Sequence, residues 1–266
     1  MRLICGWLVS VVVLGGVLGC KPGDAVKQGP EVAVATKPAG PPAPTVQLDP
    51  ATLGSVRGTI HFAGKAPAPV KIDMSMDPVC SMMGGDNFAE QYMVHDGKLG
   101  NVYVYVKSGP PAAMMAGGPT PAPVVLDQVG CKYVPHVIAV LRGGSVEFRT
   151  SDSTMHNIHT VPEEGSNPAI DISQGPKGTP QVKQFNKPEV MMPVRCNNHP
   201  WMNAFINVSA TPFFAVTDKD GHFDISGLPA GTYTLAAVHE TLGEQTVTVT
   251  VEPKATAKAD FSFSVK

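Results

Sequence analysis

The sequence from residue 52 onward alternates short apolar runs with turn-forming residues. The runs are rich in β-branched and aromatic side chains, and glycine, proline, aspartate or serine separates them. This pattern is typical of β-strands, and helical periodicity is scarce. The predicted strands span residues 56–62, 101–107, 137–141, 146–149, 204–208, 233–238 and 246–251. The chain contains 27 glycines and 26 prolines, which separate the strands by turns. It is therefore predicted to be all-β and to form β-sandwiches.

The amino terminus has the pattern of a targeting segment. Arg2 precedes an apolar run that ends at Cys20, so residues 1–19 are predicted to be a secretory signal peptide. The junction resembles the lipobox of bacterial lipoproteins, which implies that Cys20 becomes a lipidated amino terminus and anchors the protein to a membrane. A transmembrane anchor is the alternative, but the apolar run is at or below the ~18 to 20 residues that a spanning helix needs.

Residues 20–51 are predicted to be an extended tether that follows the lipidated cysteine. The segment from Lys21 to Pro50 contains seven prolines and no aromatic residue, a composition that favours semi-rigid, polyproline-like spacers. Lys21 after the lipidated cysteine resembles an outer-membrane sorting pattern, so we expect the periplasmic side of the bacterial cell envelope, at the outer membrane. The net charge is −2, and no basic stripe points to a nucleic-acid partner.

The loop 196–202 carries the chemistry. It contains Cys196, His199 and Met202, and a thiolate with imidazoles and a weak thioether is the ligand set of a mononuclear redox copper. His156, at the end of a strand-like run, is the candidate for the second imidazole. One cysteine and two histidines can also hold zinc, but the thioether of Met202 favours copper. We therefore predict one copper ion per chain.

The spacing Cys-x2-His-x2-Met resembles the ligand loop of the cupredoxin family, the type 1 blue copper proteins of the amicyanin and plastocyanin kind. Residues 133–160, with Gly143-Gly144 and His156-Asn157, resemble the front half of that family. The resemblance covers residues 124–210 and implies a Greek-key β-sandwich that carries single electrons without substrate chemistry of its own. Residues 187–192 depart from the family pattern, which leaves the redox potential open.

The resemblance also implies roles for residues beside the ligands. Asn157 is expected to tie the ligand loop to its neighbour, Pro200 to restrict the backbone after His199, and Trp201 to shield the site from water. His199 is expected near the surface, inside an apolar docking patch for a c-type cytochrome or an exported dehydrogenase. No ligand role is expected for five other histidines of the folded part: His95, His136, His159, His222 and His239.

The flanks of this segment resemble a second family. Residues 217–235 are similar to the carboxypeptidase regulatory-like, transthyretin-like β-sandwiches, with a hairpin turn at Asp220-Gly221, while the strand that usually opens that family lies upstream at 54–60. We predict that residues 52–123 and 211–266 form one sandwich into which the cupredoxin is inserted. Three domains in a row are the alternative. The turn lacks the ligand series of a calcium loop.

The remaining cysteines allow two interpretations. Cys5 belongs to the signal peptide, and Cys80 and Cys131 are predicted to form a disulfide, since an exported compartment is oxidising. The alternative is a soft Cu(I) site, because four methionines flank Cys80 and thioethers select Cu(I): Met74, Met76, Met82 and Met83. The corresponding alternative function is a copper-binding or copper-delivery lipoprotein. A surface protein without redox function is a third.

Overall fold

A computed structural model describes residues 48–83, 87–118 and 121–265. The predicted signal peptide, the lipidated Cys20 and nearly all of the tether lie outside the described residues. Within the described ranges, no helix has the length and apolar character required to cross a membrane.

Strands account for almost all regular structure, so the all-β prediction is confirmed. Each of the seven predicted strands falls on an observed one. The short helices are a 3-10 turn (Pro50–Thr52), α1 (Pro78–Met82) and α2 (Pro111–Met114). The strands are β1 (Leu53–Phe62), β2 (Val94–His95), β3 (Lys98–Leu99), β4 (Tyr103–Ser108), β5 (Val124–Val129), β6 (Lys132–Val134), β7 (Val137–Leu141), β8 (Ser145–Thr150), β9 (His156–Thr160), β10 (Asp171–Gln174), β11 (Gln181–Gln184), β12 (Glu189–Arg195), β13 (Asn203–Ser209), β14 (Phe214–Val216), β15 (His222–Pro229), β16 (Gly231–His239), β17 (Gly243–Val251), β18 (Thr256–Lys258) and β19 (Phe261–Phe263).

Strands β5 to β13 form two sheets around one hydrophobic core. One sheet has the order β10-β9-β12-β13-β7 and the other the order β11-β8-β5-β6. Buried side chains of both sheets meet in a single cluster, with Leu126 and Phe148 from one sheet and Ile158, Val194 and Ile206 from the other. We call these two sheets the inner sandwich. Burial of this apolar surface is the main force that holds the two sheets together.

The flanking segments share two other sheets. Strand β1 pairs antiparallel with β15 and parallel with β18 and β19, while β4 lies between β14 and β16. Their core combines residues from before the inner sandwich, such as Ile60 and Val104, with residues from after it, such as Phe223 and Leu235. We call this pair of sheets the outer sandwich. Residues far apart in sequence on either side of the inner sandwich therefore belong to one core.

Gly58 shows how closely the outer strands approach each other. A Cβ atom at this position of β1 would lie 1.7 Å from the carbonyl oxygen of Ala259, so no larger residue fits without a shift of the backbone. Gly221 ends the turn that precedes β15 and has a φ of 71°, a conformation that glycine adopts without steric cost. The predicted Asp220-Gly221 turn therefore occurs where β15 begins.

Several contacts join the two sandwiches, and two of them lie at buried positions away from the loop 196–202. A disulfide links Cys80, in α1 of the outer segment, to Cys131 between β5 and β6. His136 Nε2 lies 2.6 Å from Glu240 Oε1, and both side chains are buried.

Asp77 caps α1, because its Oδ1 accepts hydrogen bonds from the backbone N–H groups of Val79 and Cys80.

Candidate metal centre

The ligand loop 196–202 closes the hairpin between β12 and β13. The strands pair antiparallel up to Arg195 and Asn203, and the loop continues this approach. The backbone N–H of Cys196 donates to the carbonyl of Met202, and that of Met202 donates to the carbonyl of His199. These bonds fold the loop back on itself, so its backbone fixes the relative positions of the thiol, the imidazole and the thioether.

His156 reaches the same place from strand β9, which pairs with β12 beside the ligand loop. The Nδ1 atom of His199 lies 3.0 Å from Nδ1 of His156 and 3.6 Å from Sγ of Cys196. One ligand atom from each of the three residues lies within 4.8 Å of the others. Met202 is buried in the same hydrophobic core as Cys196. The structure thus brings the three predicted donor residues together, and Met202 lies in the core of the inner sandwich beside them.

The outer edges of both imidazoles face carboxylates. His156 Nε2 lies 2.9 Å from Asp152 Oδ2, and His199 Nε2 lies 3.0 Å from Asp77 Oδ2. A neutral imidazole that donates through Nε2 keeps a lone pair on Nδ1. If both rings are neutral, two Nδ1 lone pairs face each other at 3.0 Å beside a sulfur, a contact that either a proton on one Nδ1 or a bound metal cation relieves. This donor set fits a soft, trigonally bound metal such as copper.

The same groups perturb each other's pKa values. Burial opposes ionisation of Cys196, but the interaction with His156 and the backbone N–H groups of Asn198 and Asn157 outweighs it and lowers the thiol pKa to about 6. For His156, burial disfavours the charged ring, yet Asp152 and Cys196 raise its pKa to about 9. The hydrogen bond from His199 lowers the pKa of Asp77 to about 2. A thiolate is the form of cysteine that binds metals.

The predicted neighbours of the ligands make specific contacts. Asn157 donates through Nδ2 to Asp171 Oδ1 and accepts at Oδ1 from the backbone N–H of Asn197, so it links the ligand loop to β10. The ring of Trp201 lies 5.1 Å from that of His199, and its Nε1 donates to the carbonyl of Cys131. Pro200 is exposed between these two aromatic residues.

The prediction that His199 lies near the surface is wrong. Its exposed fraction is 3%, because residues 74–83, here called the cover segment, lie against it. Asp77 contacts Nε2 directly, and Cys80 Sγ lies 3.8 Å from the same nitrogen. An apolar docking patch around an exposed His199 edge therefore does not form. The cover segment reaches this position because the disulfide ties Cys80 to Cys131 beside the ligand loop.

The two carboxylates were not found from the sequence. Asp152 lies four residues before His156 and also accepts from the backbone N–H groups of Gly130 and Cys131. The sequence feature that could have identified Asp152 is its position only four residues from a candidate ligand. Asp77 belongs to the outer sandwich segment, 122 residues from His199, and its local sequence marks it only as a helix cap before Pro78.

Two of the four methionines around Cys80 lie at the disulfide, and two are exposed. Met74 is buried against the disulfide, and Met83 Sδ lies 3.9 Å from Cys131 Sγ. Met76 and Met82, in contrast, are 72% and 77% exposed. The disulfide also engages both thiols that a soft Cu(I) site would use. Among the described cysteines, Cys196 is the one that remains free.

Five other histidines lie outside the centre. His159 Nδ1 is 3.6 Å from Asp171 Oδ2 but makes no hydrogen bond, His95 contacts Asp220, and His222 contacts Thr59. His136 pairs with Glu240, as described above, and the ring of His239 stacks on Tyr92. None of these five histidines belongs to the three-residue cluster around Cys196.

Comparison with known proteins gives matches to parts of the chain. The carboxypeptidase regulatory-like domain family matches residues 195–264. A copper-containing nitrite reductase from Thermus scotoductus SA-01 is 24% identical with a TM-score of 0.31, over 35% of this chain and 24% of that one. This chain thus spans about a quarter of the reductase's length. No curated protein matched the sequence.

Two smaller copper proteins also match. A reduced Cu(I) form of an amicyanin variant is 22% identical with a TM-score of 0.30, over 41% of this chain and 99% of that one. A purple cupredoxin from Nitrosopumilus maritimus is 21% identical with a TM-score of 0.27, over 34% of this chain and all of that one. Similar solved structures thus include cupredoxins, each matching a minor part of this chain.

Proposed function

We propose that this protein is a type 1 copper protein that transfers single electrons between exported redox partners. The observation that carries the proposal is the buried cluster of His156, Cys196 and His199, with donor atoms within 4.8 Å of one another. His156 Nδ1, Cys196 Sγ and His199 Nδ1 would hold the metal, and Met202 would be the weak axial ligand. Bound copper supplies one-electron cycling between Cu(I) and Cu(II).

The surrounding residues suit this role because they limit rearrangement. All four proposed ligands are buried, so water is excluded from the centre. Asp152 and Asp77 fix the orientation of the two imidazoles, as carboxylates behind metal-bound histidines do. In the copper-free protein, the interaction with His156 lowers the pKa of Cys196 to about 6, so the thiolate is already present when the metal arrives. A centre held in this way needs little movement when an electron arrives or leaves.

We further propose the domain arrangement and the location expected from the sequence. Residues 124–210 would be a cupredoxin inserted into a carboxypeptidase regulatory-like sandwich formed by 52–123 and 211–266. The pairing of β1 with β15 and of β4 with β16 supports this arrangement. Lipidated Cys20 and the proline-rich tether would hold both sandwiches at the periplasmic face of the outer membrane. A c-type cytochrome or an exported dehydrogenase would be the partner, and the protein would have no substrate chemistry of its own.

A visible absorption spectrum of the protein with Cu(II) tests the function. We expect an intense thiolate-to-copper band with one copper per chain, and its loss in Cys196→Ser. His159→Gln is the matched control, since His159 lies on the same strand as His156 but contacts Asp171 instead. A wild-type protein that stays colourless with Cu(II), or that binds only Zn(II), contradicts the proposal.

Copper capture is the second candidate function, and the exposure of Met76 and Met82 on the cover segment favours it. Thioethers on a surface bind Cu(I) in preference to harder ions. This function predicts more than one copper per chain and little loss of total copper uptake in Cys196→Ser. Metal stoichiometry of that variant under reducing conditions therefore distinguishes capture from electron transfer.

A further inference from the structure

The outer sandwich contributes a side chain to the candidate copper centre. Asp77 precedes α1 on the cover segment, and its Oδ2 lies 3.0 Å from Nε2 of His199. His199 itself belongs to the inner sandwich and is buried. A residue that a cupredoxin sandwich does not itself contain is therefore the direct partner of one of the proposed ligands.

The carboxylate of Asp77 is held in place by four hydrogen bonds. Its Oδ1 accepts from the backbone N–H groups of Val79 and Cys80, and its Oδ2 accepts from Thr154 Oγ1 and from His199. Thr154 lies on the inner sandwich, two residues before His156. The carboxylate is thus fixed by both sandwiches, and the disulfide at Cys80 fastens the adjacent helix to Cys131.

We propose that Asp77 is a positioning residue of the copper centre, which orients His199 and favours Cu(II) over Cu(I). This inference rests on the proposed function. By accepting the Nε2 proton, the carboxylate selects the tautomer of His199 whose Nδ1 carries the lone pair and faces Cys196. Its negative charge, behind the ring and partly shielded from water, stabilises the more highly charged metal ion. Asp152, within the inner sandwich, lies in the equivalent position behind His156 and accepts its Nε2 proton.

The competing explanation is that Asp77 serves only as the cap of α1. Asp77→Asn separates the two roles, because asparagine is an equally good helix cap while its amide nitrogen is not an acceptor for the imidazole N–H. Asp73→Asn is the matched control: it removes the same charge four residues earlier, from an exposed side chain that accepts from the backbone N–H of Ser75. Asp77→Ser also keeps a capping oxygen and replaces Asp77→Asn if that variant fails to fold.

Redox titration and NMR of the full-length protein test the proposal. We expect Asp77→Asn to keep a thiolate-to-copper band, to bind copper 10- to 100-fold more weakly and to have a more positive potential than the wild type, by about 59 mV for each tenfold preferential loss of Cu(II). In the Cu(I) form, the His199 Nε2 proton should be protected from exchange in the wild type and Asp73→Asn, and unprotected in Asp77→Asn.

The outcomes separate this inference from the proposed function. A wild type without the thiolate-to-copper band overturns both. A blue wild type whose potential and Nε2 proton protection are unchanged in Asp77→Asn overturns the positioning role alone and leaves Asp77 as a helix cap. An equal shift in Asp73→Asn also overturns it, since a general effect of charge would then explain the potential.

Discussion

His156 Nε2 lies 2.9 Å from Asp152 Oδ2, and both side chains are buried. The same carboxylate accepts from the backbone N–H groups of Gly130 and Cys131. Asp152 therefore connects a proposed copper ligand to one end of the disulfide. Because a buried carboxylate that loses its charge leaves several donors without a full partner, this one residue affects both the metal centre and the stability of the inner sandwich.

We expect Asp152→Asn to weaken copper binding by about 10- to 100-fold and to lower the free energy of unfolding of the copper-free protein by about 1 to 3 kcal/mol. Competition titration with a chelator measures the first quantity and chemical denaturation the second. Glu164→Gln, at an exposed position, is the control for loss of charge. Wild-type affinity in Asp152→Asn would show that the carboxylate does not orient His156.

The thiol of Cys196 should titrate near pH 6 in the copper-free protein, because its pKa is lowered to about 6. Ultraviolet absorbance of the thiolate follows this titration while the Cys80–Cys131 disulfide is intact. His156→Gln removes the main favourable interaction and should raise the thiol pKa. If the thiol of the wild type titrates at the ordinary value for cysteine, His156 does not stabilise its ionised form.

The pair of Cys196 and His156 should contribute almost no pH dependence of stability between about pH 6.5 and 9. The lowered thiol pKa adds stability as the pH rises through this range, because the unfolded state binds the extra proton. The raised imidazole pKa, about 9, removes stability over the same range, because the folded state binds the extra proton. The two slopes have opposite signs and cancel. Denaturation of copper-free wild type and Cys196→Ser measures this, and only the variant should lose stability as the pH rises.

Removal of the disulfide should uncover His199. We expect the double variant Cys80→Ala and Cys131→Ala to lose about 2 to 4 kcal/mol of stability and to release copper to a chelator faster than the wild type, while its absorption band persists. The cause is loss of the bond that holds the cover segment against His199. Met82→Ala, at an exposed position of α1, is the control. Unchanged release would mean that Asp77 and its partners hold the segment without the disulfide.

Truncation after Ala210 should affect the two sandwiches differently. It removes the partners β15, β18 and β19 of strand β1 and the partners β14 and β16 of strand β4, so residues 53–108 should become sensitive to proteases. The inner sandwich keeps all nine of its strands, β5 to β13, and should still give the thiolate-to-copper band. If residues 53–108 stay resistant, the amino-terminal segment folds by itself, as three domains in a row would require.

The ligands could be predicted from the sequence because they are local. Cys196, His199 and Met202 share one loop, and His156 begins a strand with a recognisable pattern. The strands could also be predicted from the sequence, since short runs of β-branched residues between turn residues are a signal for β-strands. The structure places the strands where the pattern indicated, apart from small differences in strand bounds, but His156 is the first residue of β9 and not, as predicted, at the end of a strand.

The surroundings of His199 could not be predicted because they depend on the tertiary arrangement. Asp77 and His199 are 122 residues apart and belong to different sandwiches. No spacing rule connects a helix cap in one sandwich to an imidazole in another. The disulfide pairing was predicted, but the position of Cys131 beside Trp201 and the ligand loop emerges only when both sheets of the inner sandwich are assembled.

The burial of His199 affects how two molecules of this protein would exchange electrons with each other. The cover segment lies over the outer edge of the imidazole and so increases the shortest distance between the metal centres of two copies, and electron tunnelling slows steeply with that distance. Collisions between a reduced and an oxidised copy should therefore transfer charge slowly, which line broadening in mixed samples would measure. If neighbouring copies share a membrane as proposed above, slow exchange would keep each electron on one copy until its redox partner binds.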